Sequence, residues 1–164
     1  MESELASARR KYLCQTCGVI NDNNSSEVAP SVLFVCSRNG GKSQIAAGYM
    51  SLEAGHAIGV SSAGTNPADS INMLAAEVLL EQGVDIRTQE PRLLTEQDMR
   101  AASLVVVLGT EAQVPETDGV TIERWETDEP SLRGIEGRER MELVCADIHR
   151  HVADLKSRLL AKEN

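Results

Sequence analysis

The chain has 164 residues, 41% of them apolar and 25% charged, and a formal net charge of −9. That length suits one domain, which buries on the order of 70% of its unfolded surface without a disulfide or metal staple. Only Tyr12, Phe34, Tyr49 and Trp125 are aromatic. Few aromatics and an acidic balance exclude a stacking platform for nucleic acid and broad attraction to nucleic acid or an anionic membrane. A single small oxyanion is not excluded, because a local cradle overrides the global field.

Residues 1–30 read differently from the rest. MESELASARRKYL contains no apolar h-region, and no apolar run in the chain reaches the ~18 residues of a membrane span. The expectation is a cytoplasmic, reducing location, in which Cys14, Cys17, Cys36 and Cys145 are thiols. The polar stretch Asn21–Ser26, closed by Pro30, predicts a flexible N-terminal extension over 1–30, with a short helix near Glu4–Leu13. A folded domain is expected over 31–164.

From Ser31 the pattern is regular. Val32–Val35 is wholly apolar, as in a strand buried on both faces. Cys36 to Gly41 is a loop, and Lys42–Ala54 has a helical pattern stopped by Gly55. Ala57–Ser62 predicts a second strand. Asp69 is placed to cap a helix from about Ser70 to Gln82, with Gly83 behind it. Thr95 and Asp98 form a capping-box pair for a short helix to about Ala102. Leu104–Leu108 gives the strongest strand signal and Thr121–Arg124 a weaker one. Arg138–Leu160 predicts a long amphipathic helix with Met141, Val144, Ile148, Val152, Leu155 and Leu159 on one stripe. Strands alternating with helices imply an α/β domain with a parallel sheet, here of four strands. In such sheets the ligand sits beyond the carboxyl ends of the strands.

The loop after the first strand reads Cys36-Ser37-Arg38-Asn39-Gly40-Gly41-Lys42-Ser43. Two chemistries compete for it. Gly41-Lys42-Ser43 matches the end of a nucleotide P-loop, but Cys36 stands where that motif has its first glycine. The Leu104–Leu108 strand also ends in Gly109-Thr110 rather than an Asp for magnesium. The other reading is a nucleophilic cysteine in an oxyanion cradle. Backbone N–H groups from Ser37 to Ser43, through Arg38, Asn39, Gly40 and Gly41, converge on a tetrahedral anion. The helix N-terminus and the Lys42 ammonium add positive charge, and the Ser43 hydroxyl can donate to sulfur. The bland reading, a structural cysteine at a strand end, leaves the glycine-rich loop unexplained.

Val32 to Ala47, Ser62-Ala63-Gly64-Thr65, Gly83-Val84-Asp85-Ile86 with Pro91-Arg92-Leu93-Leu94-Thr95, and Trp125 with Asp128-Glu129-Pro130 occur in that order. Together they resemble the low-molecular-weight protein tyrosine phosphatase family, and within it the arsenate reductases. The resemblance implies a four-stranded parallel twisted sheet in the order 2-1-3-4, with helices on both faces. It implies nucleophilic attack by Cys36 on arsenate for arsenic detoxification; the alternative is phosphotyrosine hydrolysis by the same nucleophile. The Gly-Gly-Lys-Ser form of the loop is similar to actinobacterial members, for which the co-substrate is mycothiol. The implied partners are an arsenate or phosphate oxyanion, a mycothiol-like small thiol, and a redoxin (mycoredoxin, glutaredoxin-like or thioredoxin). No tightly bound cofactor, metal, nucleic acid or membrane is expected.

Departures from the family pattern matter. Lys42 stands where the family has Arg, exchanging a planar two-pronged clamp for a point charge. The family's acid is an Asp directly before Pro; here that position is Glu129, with Asp128 one residue earlier. Either carboxyl is a candidate to protonate a departing oxygen. The thioredoxin-coupled branch has two more cysteines after its third strand, and 109–119 contains none. Where some members bind potassium through a Glu on the first helix, this chain has Ala47.

Cys14-Gln15-Thr16-Cys17 is half a zinc site or a redox pair on the extension. Cys145 falls in the apolar stripe and is expected in the core. His149 and His151, two apart on a helix, are expected to face different directions, and His56 to sit at a helix end.

Overall fold

The computed structural model of the protein describes residues 28–161. The helix expected near Glu4–Leu13, Cys14 and Cys17 lie outside the described residues.

Four strands form one parallel sheet: β1 (Ser31–Cys36), β2 (Gly59–Gly64), β3 (Leu104–Leu108) and β4 (Ile122–Trp125), in the order β2-β1-β3-β4. Four helices connect or flank them: α1 (Lys42–Ala54), α2 (Met73–Glu81), α3 (Glu96–Ala101) and α4 (Gly137–Ala161). The central strands are apolar at every inner position because both faces are covered. Phe34, Val106 and Leu108 face the cluster that also contains Tyr49, Leu79 and Ile148, from α1, α2 and α4. Leu33, Val35, Val105 and Val107 face the smaller cluster with Met99 of α3 and Ala112. The two-residue period of a strand assigns these faces. Phe34 and Trp125 meet at 5.7 Å between ring centroids. The stripe of α4 is buried as expected: Met141, Val144, Ile148, Val152 and Leu155 are core residues, and Leu159 packs against them.

Two of the boundaries that differ from the sequence reading bear on the loop after β1. β2 begins at Gly59 and runs to Gly64 rather than spanning Ala57–Ser62. His56 falls in a short 3-10 turn, Gly55–Ala57, before it. The second helix is capped by Asn72, not Asp69, and starts at Met73. The Asn72 side chain accepts from Ala75 N–H at 3.1 Å. Residues 65–72 are held in a non-helical path because their N–H groups bind carbonyls of the loop after β1. Thr95 and Asp98 form the full reciprocal capping box of α3. No helix among the described residues is long and apolar enough to cross a membrane.

Candidate active site

Cys36 ends β1, with Gly64 of β2 beside it in the register. The loop that follows is turned inside out by hydrogen bonds. Thr65 N–H donates to Cys36 O, Asn66 N–H to Ser37 O, Ala68 N–H to Arg38 O and Asn72 N–H to Gly40 O, at 2.7–3.2 Å. A trans peptide points its N–H opposite its C=O. With these four carbonyls tied outward, the N–H groups of Ser37, Arg38, Asn39 and Gly41 are directed to the other side of the loop. That of Asn39 donates to Cys36 Sγ at 3.2 Å.

Gly64 permits this approach: a Cβ there would stand 2.8 Å from Ser37 O and 2.9 Å from Asn39 Cβ. Asn39 is the keystone of the loop. It is fully buried and adopts a left-handed φ of 50°, which asparagine tolerates better than most residues. Its Nδ2 donates to Ser43 Oγ at 2.8 Å, while its Oδ1 accepts the Arg92 N–H at 2.9 Å. Ser43 Oγ lies 3.0 Å from Cys36 Sγ. α1 begins at Lys42 with Gly41 as its N-cap and no side-chain cap. Its first-turn N–H groups are therefore open to an anion at the cradle.

Cys36 lines a hollow of about 420 Å³. Its wall includes Ser37, Arg38, Gly40, Gly41 and Lys42 from the loop, Leu108–Glu111 beyond β3, and Glu129 and Arg140 from the far side. Lys42 pairs with Glu129 across this hollow. A Cβ on Gly109, which has φ +82°, would stand 3.0 Å from Lys42 Nζ, so the lysine passes directly over that glycine.

Asp128 turns elsewhere. Its carboxylate accepts both prongs of Arg133, at 2.6 and 3.1 Å, and it borders a separate hollow with Asp147 and Arg150. The Arg133 guanidinium holds its carboxyl below the usual aspartate range. The Asp128 N–H donates to Asp147 Oδ2 at 2.8 Å, tying the loop to α4. Of the two carboxyls proposed from sequence, the fold brings Glu129 to Cys36 and leaves Asp128 outside.

Sequence reasoning missed Arg140 and Asp147. Both carried a faint signal: they flank the buried residues Met141 and Ile148 on α4, where a charged side chain needs a partner or a purpose. Arg140 Nε is buried without a hydrogen-bond partner among the described residues, as is Thr127 Oγ1.

Cys145 is the other described thiol. It is fully buried, and burial pushes it up to about 11. Its neighbour Tyr49 is pushed up as well, first by burial, and stacks on His149 with centroids 4.1 Å apart. His151 stacks instead on Trp125, so the two histidines do face apart. Among the described residues no cluster of three His, Cys, Asp or Glu side chains is disposed to hold a metal ion.

Residues 31–164 match the family described as low molecular weight phosphotyrosine protein phosphatase. The chain is 25% identical over 127 residues to a candidate arsenate reductase of Halobacterium salinarum, covering 74% of this chain and 87% of that protein. Among solved structures it is similar to the thioredoxin-dependent arsenate reductase Cg_ArsC1' of Corynebacterium glutamicum, at 32% identity and a TM-score of 0.71. That match covers 83% of this chain, which spans 64% of the Corynebacterium chain. An arsenate reductase of Archaeoglobus fulgidus aligns with a TM-score of 0.60 at 25% identity, covering 76% of this chain and 97% of that one.

Proposed function

The chain belongs to the low-molecular-weight phosphotyrosine protein phosphatase family, and from that membership and the Cys36 cradle we propose that it is a thiol-dependent arsenate reductase. The observation that carries the reading is the sulfur itself. Cys36 Sγ receives the Asn39 N–H and sits beside Ser43 Oγ at the uncapped start of a helix, facing the hollow. Ser43 Oγ already accepts from Asn39 Nδ2, so its own hydrogen is free for the sulfur. A thiolate there is stabilised by fixed donors, and so is an oxyanion above it.

The reaction begins with an arsenate oxygen cluster held by the loop N–H groups and Lys42. As the oxyanion draws Lys42 away, Glu129 takes up a proton from solvent; the Cys36 thiolate attacks arsenic, an As–O bond breaks, and Glu129 passes that proton to the departing hydroxide, which leaves as water. A small thiol then attacks arsenic and displaces Cys36 as thiolate, which carries arsenate away as a thiol adduct. A redoxin thiolate attacks the sulfur of that adduct; an S–S bond forms, the S–As bond breaks, and its electron pair stays on arsenic, so that As(V) leaves as arsenite.

The external thiol is inferred from placement. Cys145, the other described thiol, lies in the core against Tyr49, away from the hollow. A mycothiol-like thiol followed by a redoxin fits the absence of a described second thiol at the site; thioredoxin acting with Cys14 or Cys17 is the alternative. The phosphotyrosine phosphatase reading is disfavoured by the wall of the hollow. None of its lining residues is aromatic, and Phe34, Tyr49 and Trp125 are spent in the core. A phenyl ring entering the hollow meets no ring among the described residues to stack on.

The test is arsenate turnover with a panel of small thiols and redoxins, beside hydrolysis of an aryl phosphate. The expected result is arsenate reduction that requires added thiol and disappears in Cys36→Ser. Thiol-free aryl phosphate turnover at a higher kcat/KM than arsenate reduction, or full arsenate turnover in Cys36→Ser, overturns it.

A further inference from the structure

Lys42 is already engaged. Its ammonium pairs with Glu129, so an oxyanion entering the hollow has to compete with that carboxylate for the charge. Arg38 also borders the hollow, but it is exposed at the outer rim. Arg140 is different. It enters from the third residue after the start of α4, lines the same hollow as Cys36, and is mostly withdrawn from solvent. Its Nε is buried with no partner, and no carboxylate pairs with its guanidinium among the described residues. A cation facing a hollow with a donor left open is complementary to an anion that is not yet there. The other arginines of the same helix are all spent: Arg138 on Glu142 and Glu81, Arg150 on Asp147, Arg158 on Glu123 and Asp154.

We propose that Arg140 is a second oxyanion ligand of the Cys36 site, supplying from α4 the planar two-pronged contact that Lys42 cannot make from the loop. The inference rests on the oxyanion reading of the site and names which residue grips its substrate. A planar guanidinium offers parallel N–H donors that can meet two oxygens of arsenate or phosphate at once. The chain thereby divides what one arginine does into two cations: Lys42, shared with Glu129, and Arg140, free in the resting site. The consequence is selectivity for a tetrahedral oxyanion over a planar or monovalent anion, since the second cation approaches from a direction the loop does not cover.

The experiment is protection of Cys36 from iodoacetamide by increasing arsenate, phosphate or nitrate, read by mass spectrometry on the full chain. The variants are Arg140→Gln, Arg140→Lys and Arg138→Gln. In the wild-type protein, arsenate and phosphate protect and nitrate does not. Arg140→Gln raises the half-protecting arsenate concentration about tenfold or more, each curve being read relative to that variant's own alkylation rate without oxyanion. Arg140→Lys recovers only part, because a point charge replaces a fork. Arg138→Gln, which removes the same charge two residues away, leaves the protection curve in place. Equal curves for wild type and Arg140→Gln overturn the assignment, as does an equal shift in Arg138→Gln, which reduces the effect to net charge. An unchanged protection curve with a raised KM for the thiol co-substrate also overturns it, placing Arg140 on the thiol. If no oxyanion protects wild-type Cys36, the oxyanion reading of the site fails instead.

Discussion

The hollow at Cys36 has two walls built on opposite principles. The loop wall, Cys36 to Ser43, is fixed by main chain: four of its carbonyls are bound by the 65–72 segment, and Asn39 ties it to Ser43 and Arg92. On the opposite wall, Glu129 to Arg140, backbone bonds close the 129–135 turn, while the Glu129 carboxylate is positioned by a side-chain ion pair with Lys42 and the neighbouring Asp128–Arg133 pair is largely exposed. Pairs of that kind are weak and screened by salt, whereas a buried backbone network has no competing solvent. On the proposed roles, the nucleophile is preorganised and the acid is adjustable. A proton donor has to follow an oxygen that is leaving, and a thiolate cradle has to stay still, so the division follows the chemistry of each part.

Glu129→Gln attacks the adjustable wall and carries the largest expected effect. Loss of the proton donor should lower the rate of adduct formation by about 10² to 10⁴. The same change removes the carboxylate from Lys42 and leaves that ammonium to the oxyanion. Arsenate protection of Cys36 should therefore tighten while turnover falls, measured by single-turnover adduct formation and by alkylation in parallel. A fall in both would mean that Glu129 positions Lys42 for binding rather than donating a proton.

Asn39→Ala attacks the fixed wall. It removes the donor to Ser43 and the acceptor for Arg92 N–H, and places alanine at a left-handed φ. A buried unsatisfied N–H costs about 1–3 kcal/mol, so the midpoint of denaturant unfolding should drop visibly. With the thiolate's donors loosened, adduct formation should slow about a hundredfold. Asn39→Asp keeps the acceptor but not the donor and should fall between, in both measurements. If Asn39→Ala unfolds no more easily than wild type, the loop is held by its backbone bonds alone.

Much of this was legible in the sequence, for identifiable reasons. The Val32–Val35 and Leu104–Leu108 runs are apolar because both faces of a central parallel strand are covered, and that is a local signal. Cys36, Lys42 and Ser43 fall in one loop by chain position, so their proximity needed no tertiary information. Glu129 before Pro130 was legible through the family resemblance, but the choice between it and Asp128 was not. In the structure Arg133, five residues on, holds the Asp128 carboxylate away from the hollow, which supports Glu129. The cap of α2 was misread because Asp69 and Asn72 are equally good caps by residue type. Asn72 wins since residues 65–72 are committed to the carbonyls of the Cys36 loop. Arg140 was hidden because a charged residue on an amphipathic helix reads as solvated, and only the packing of α4 against the sheet brings it to the hollow.

Lys42→Arg tests the fixed wall more gently. A guanidinium at this position meets two equatorial oxygens, which is where phosphoryl transfer gains most. Any aryl phosphate hydrolysis should rise about tenfold, with a smaller rise in arsenate reduction. Space is available because residue 109 is glycine: a Cβ there would stand 3.0 Å from the lysine nitrogen. In the double variant Lys42→Arg with Gly109→Ala the gain should vanish. Equal gains in the two activities would show that residue 42 acts only as a charge.

The smallest effect is expected at the outermost support of the adjustable wall. Arg133→Gln removes the fork on Asp128 and leaves the Asp128 N–H on Asp147 Oδ2. Because the pair is exposed, arsenate turnover should change by less than about threefold. Its pH dependence has a definite sign. Arg133 lowers the folded carboxyl below its ordinary value of 3.8. The pair's contribution is therefore fully present above that value and is lost as pH falls through the lowered one. Between pH 5 and 8 the wild-type and Arg133→Gln proteins should show parallel activity profiles. Added salt at about 0.5 M, where the Debye length is only ~4 Å, should erase what difference remains. A large loss in Arg133→Gln that persists in high salt would break the contrast between the walls, because it would make the acid-bearing loop as rigidly specified as the cradle it faces.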